Sequence, residues 1–248
     1  MRNISPVIST SIRNNLRSKT LTIIFVGLAL MFAVGVAAIF CLLSIAPAVE
    51  ADLPDRGELG LYLGLIMYVA CMMGLGVDIN VFTASSITRE KSRGNIESLL
   101  ATPLKVKGIW LAKSLAVFLP GLVVGEMLTL IALIAVNYIY IVPKMGFLVT
   151  PWIAINSFVA VPIMYFCLSL LVHLIGLTGS PQTANVVVQV FLPTMVALGI
   201  NLPLHFGLDI TSWPFALIHL GIAAAAGIAV VLLQPRLTKE RIVLSRQE

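Results

Sequence analysis

Apolar residues in this chain come in runs, and the runs are as long as a bilayer is thick. Six stretches, roughly 21–45, 61–84, 109–136, 152–175, 181–204 and 213–233, lie near or above the ~20 residues a helix needs to cross the hydrocarbon core. In lipid every backbone N–H and C=O must be paired inside the chain, so runs of this length read as helices. Composition agrees: 59% of the 248 residues are hydrophobic and 11% charged, far from soluble globular usage. The expectation is an all-α integral membrane protein with six transmembrane helices in one domain, 1–248, and no signal peptide.

Punctuation between the runs divides that domain. Residues 1–20 repeat Ile4, Ile8, Ile12 and Leu16 at helical spacing beside Arg13, Arg17 and Lys19. They form either an amphipathic surface helix or the basic flank of the first span. Spans one and two occupy 21–85, with an acidic loop over 46–60. A polar segment fills 86–104, spans three to six occupy 105–234 with a short loop over 137–151, and a tail follows from 235 to 248. Pro120, Pro162 and Pro193 are expected to kink their helices.

Of the 16 Lys and Arg residues, all but Arg56 and Lys144 fall at the two termini and around the polar segment. The positive-inside rule makes that side cytoplasmic, with both termini on it. The cell membrane is the expected location. Trp152 and Trp213 read as outer-interface residues and Trp110 as an inner one. The net charge of +5 therefore belongs to membrane edges and predicts no nucleic-acid partner. Cys41, Cys71 and Cys167 all lie inside apolar runs, which suits packing rather than disulfides or metal. His173, His205 and His219 have no ligand spacing, so no metal is assigned.

The polar segment carries five charges between Arg89 and Glu97, then Ile96, Leu99 and Leu100 on one helical face. Gly94 breaks the chain before this short helix and Asn95 caps it. Thr102-Pro103 starts the next helix. An amphipathic helix set between two membrane helices is suited to touch something outside the bilayer.

Residues 87–104 resemble the signature of the ABC-2 type transporter permeases, approximately R-E-K-x-x-G-T-hydrophobic-E-x-L-L-x-T-P between the second and third spans. Arg89, Glu90, Lys91, Gly94, Glu97, Leu99, Leu100, Thr102 and Pro103 match in register; Asn95 replaces the usual Thr, and Ser92 a common acid. The resemblance implies a permease of an ATP-driven exporter. Two permease chains would pair, as a homodimer or a paralogous heterodimer, above cytoplasmic ABC ATPase subunits. The segment would be the cytoplasmic coupling helix. Ile96, Leu99 and Leu100 would fill an ATPase cleft, and Arg89, Glu90, Arg93 and Glu97 would set its register through ion pairs. Lys91 and Arg93 are equally suited to anionic lipid. No Gly-Lys pair occurs, so this chain has no phosphate-binding loop. ATP and Mg would sit on the partner, and no cofactor is expected here.

Two acids lie inside spans. Glu126 either lines a substrate path or binds a cation, or is a protonated packing residue; Asp78, nearer water and Arg89, reads first as packing. With Asn185 and Gln189 they are the candidate translocation path, although interhelical hydrogen bonding fits the two amides equally well. Gly121 and Gly125 form a small-xxx-small pair suited to close helix approach. An intramembrane enzyme would need a catalytic set, but neither His-Glu-x-x-His nor Gly-x-Ser-x-Gly is present, so no enzymatic role is expected. The remaining alternative is a channel or scaffold without pumping.

Overall fold

The computed structural model describes residues 4–50, 55–83, 101, 104–180 and 208–245, with scattered helical positions between 182 and 197. Among the described residues there is no strand. Five helical stretches are long and apolar enough to cross a membrane: Lys19–Glu50, Arg56–Thr83, Val106–Met145, Pro151–Thr178 and Trp213–Arg236. They coincide with expected spans one to four and six. The fifth, over 181–204, falls mostly outside the described residues.

A separate helix, α1 (Ser5–Arg17), precedes the first long one. Ser18 is extended between them, and Thr22 Oγ1 donates back to the Leu16 carbonyl at 3.2 Å. Ile8 and Ile12 are half-buried, Arg13 and Arg17 exposed. The Ile4 end of this helix rests against Gly108, at the start of the third long helix.

The first long helix is α2 (Lys19–Phe40), a π-turn Cys41–Ile45 and α3 (Ala46–Glu50). The second is α4 (Arg56–Asp78) with the π-turn Ile79–Thr83. The third is α5 (Val106–Val136), a π-turn Asn137–Ile141 and α6 (Val142–Met145). The fourth is α7 (Pro151–Ile155), a π-turn Asn156–Ala160 and α8 (Val161–Thr178). The last is α9 (Trp213–Leu233), followed by a 3₁₀ turn and α10 (Lys239–Leu244).

Three of these π-turns end two residues before a proline: Pro47, Pro143 and Pro162. Proline lacks an N–H and its ring clashes with the carbonyl four residues back, so a turn widened by one residue lets the helix pass through. Two expected loops therefore shrink. The acidic 46–60 connection is helical up to Glu50 and again from Arg56, and the 137–151 connection is helical up to Met145. Pro120 stands inside an unbroken α5.

The ends are capped as their sequences dictate. Asp55 accepts from the Gly57 N–H at 2.8 Å and opens α4; Thr150 accepts from the Ile153 N–H at 3.3 Å and opens α7. After α6 the chain turns at Gly146, whose φ of 78° suits a residue without Cβ. Buried Asn137 braces that turn, donating to the Leu133 and Leu148 carbonyls and accepting from the Leu148 N–H at 2.7 Å. Arg56 donates to the Met145 carbonyl at 2.7 Å from the neighbouring helix start.

The core is built around α4. From Leu63 to Asp78 every residue of it is buried, against α2 on one side, α5 on another and α8 beyond.

Candidate functional site

The closest approach of two helices lies between α4 and α5. A Cβ on Gly74 would stand 2.3 Å from the Gly125 Cα, and one on Gly125 3.0 Å from the Cys71 carbonyl oxygen. One turn further, a Cβ on Gly121 would stand 2.7 Å from the Asp78 Cβ. Thr129 extends the line: its hydroxyl is 2.8 Å from its own-helix Gly125 carbonyl and 3.4 Å from that of Met67. The small pair read from the sequence is thus one half of a glycine seam, where missing side chains bring two backbones into contact. α4 runs into the polar segment and α5 emerges from it, so the seam joins the two helices that flank the motif.

Of the expected coupling residues, Arg89, Glu90, Lys91, Arg93, Gly94, Ile96, Glu97, Leu99, Leu100, Thr102 and Pro103 all lie outside the described residues, as does Asn185 of the expected path. The other path residues do not converge. Asp78 is fully buried on the seam, and neither of its carboxylate oxygens has a hydrogen-bond partner among the described residues. Glu126 is half-buried on the flank of α5, between the Gly121–Gly125–Thr129 strip and exposed Val123 and Leu130. Gln189 is exposed.

Sequence reasoning missed two polar features inside the bundle. Tyr68 of α4 and His219 of α9 are both buried, with Tyr68 Oη and His219 Nε2 3.0 Å apart. His219 Nδ1 lies 2.8 Å from its own-helix Phe215 carbonyl, which fixes the proton on Nδ1 and leaves Nε2 to accept from the tyrosine. This bond ties the second long helix to the last. The second feature is a column on the fourth helix. Tyr165 Oη, Ser169 Oγ and His173 Nε2, four residues apart, are buried without a hydrogen-bond partner, as are Asn156 Oδ1 and Ser157 Oγ nearer its start. The spacing of Tyr165, Ser169 and His173 is visible in the sequence as polar positions one turn apart in an apolar run.

Two edge residues are not where edge residues belong. Trp110 is buried and donates its indole N–H to the Leu170 carbonyl at 3.1 Å, so it joins α5 to α8. Lys113, counted from sequence among the membrane-edge cations, is buried one turn further along α5 and acts electrostatically on His173. Trp152 and Trp213 are exposed. No group of three or more His, Cys, Asp or Glu side chains able to hold a metal occurs among the described residues. No family model, curated protein or solved structure matches this chain.

Proposed function

We propose that this chain is the membrane-spanning permease subunit of an ATP-driven exporter of the ABC-2 type. It couples ATP hydrolysis on a separate ATPase chain to movement of substrate across the cell membrane. On this reading the chain has six spans, both termini are cytoplasmic, and α1 lies along the membrane surface. A second permease chain completes the pathway. The segment 86–104 is the coupling element, with Ile96, Leu99 and Leu100 seated in the ATPase and Glu97 fixing the register.

The observation that carries this reading is the sequence of that segment, an amphipathic helix between two breaks in the ABC-2 register. The seam supports it. A push on the segment acts on α4 and α5 together, because at Gly74 and Gly125 their backbones already touch. Force applied at the segment is therefore delivered to the bundle through its most buried helix, not absorbed in a loose pair.

The test is co-expression with the ATPase encoded beside it. The chain is expected to co-purify with that ATPase, and Leu100→Asp to cut the recovered ATPase at least tenfold. Glu97→Ala is expected to weaken association less and to uncouple hydrolysis. Full association and coupling in both variants would remove the docking role. Ion flux through the purified chain without ATP would favour a channel.

A further inference from the structure

We propose that Asp78 is a proton-binding site: its carboxyl carries a proton while α4 and α5 are closed on one another, and gives it up when they part. The side chain has no exposed surface, and no described residue donates a hydrogen bond to either oxygen. It is pressed onto Gly121, where even an added methyl group would come within 2.7–2.9 Å of its Cβ, Cγ and Oδ2. That contact leaves no room there for a water or a hydrated metal ion. A carboxylate in such a place has neither solvent, donor nor counter-charge, and a bound proton is the one ligand small enough to relieve it.

The charged and titratable groups on the packed elements do not replace that proton. On α5, Lys113 and Glu126 stand eight residues before and five after Gly121, about 12 Å and 7.5 Å along the axis. His173 on α8 faces Lys113. Cys71 on α4 lies two turns away along its own helix, and α2 brings only Lys19, exposed at its first residue.

The position makes the proton conformationally linked. Asp78 is the last residue of α4 before the π-turn Ile79–Thr83, and the Thr83 hydroxyl is likewise buried without a partner. Displacement of the following segment reaches this turn first. Parting the seam there admits water to the carboxyl and releases its proton, and closing it takes the proton back. The linkage does not depend on the transport reading, since a chain that pumps nothing would still hold this carboxyl.

The experiment is infrared spectroscopy of the purified full-length chain in phospholipid nanodiscs. At pH 8 the carbonyl band of a protonated carboxylic acid is expected, lost in Asp78→Asn and kept in Glu126→Gln, and unchanged when sodium replaces choline. Gly121→Ala, which wedges the seam, should lower the midpoint of that band's pH titration by one unit or more, a tenfold loss of proton affinity. Three results would overturn the proposal. The first is an acid band untouched by Asp78→Asn, with the carboxylate band reduced instead. The second is loss of the band on adding sodium at fixed pH, which would make this a metal-cation site. The third is an unshifted midpoint in Gly121→Ala, which would remove the linkage to the seam.

Discussion

α2 and α4 are both apolar on every side, yet they occupy opposite places in the molecule. Of the most apolar stretch of α4, 89% is buried; for α2 the figure is 17%. α2 commits one narrow strip, Phe25, Ala29 and Ala33, to the bundle and leaves Ile23, Val34, Leu42 and Leu43 open. Lipid is as apolar as leucine, so hydrophobicity cannot sort a central helix from a peripheral one. The difference lies in glycine and in polar side chains. Gly74 of α4 meets backbone, whereas Gly27 and Gly35 of α2 meet nothing within 4 Å. α4 also carries Tyr68 and Asp78 into the interior.

Substitutions that treat the two helices alike should therefore separate them. The largest effect is expected from Gly74→Leu, whose side chain has to fit where the Gly125 backbone stands. A cost above about 4 kcal/mol is expected, seen as loss of monodisperse protein on size exclusion. Gly35→Leu should leave the profile unchanged.

Next is Tyr68→Phe, which strips the donor from His219 Nε2 and leaves a buried acceptor unpaired. This should cost about 1–3 kcal/mol in a reversible unfolding assay. Tyr165→Phe has the opposite logic, because its hydroxyl has no hydrogen-bond partner to lose. It should be neutral or stabilising by up to about 1 kcal/mol, and a loss as large as that of Tyr68→Phe would mean that the hydroxyl is engaged. The smallest effect is expected from Gly35→Ala, a gain of roughly 0.5–1 kcal/mol from helix propensity alone. The same change at Gly74 should be destabilising.

Much of this architecture is legible in residue order. Run length gives the membrane helices, because the bilayer sets how many residues a helix needs. Gly121 and Gly125 mark a close contact, though not the helix they meet. The partner, Gly74 with Cys71 and Asp78, became visible only when α4 was placed beside α5. Pro47 and Pro143 point to loops on local rules, and the π-turns before them reverse that conclusion without a sequence mark of their own. Trp110 and Lys113 look like edge residues by position, yet tertiary packing takes both inside. The coupling segment is the reverse case: its proposed role is carried by sequence, and its residues lie outside those the structure describes. Asp78, Glu126 and Gln189 share a polar character in apolar runs, and that character alone did not bring them to one place.

The most direct test of the proposed role is the sidedness of Ser98 in the coupling segment. Ser98→Cys, in a chain with Cys41, Cys71 and Cys167 replaced by alanine, would be treated with a membrane-impermeant maleimide in right-side-out and inverted vesicles. Labelling is predicted in inverted vesicles only, and added ATPase is predicted to protect the site. Labelling in right-side-out vesicles, or full labelling with the ATPase bound, would contradict a cytoplasmic segment that α4 presents to an ATP-hydrolysing partner.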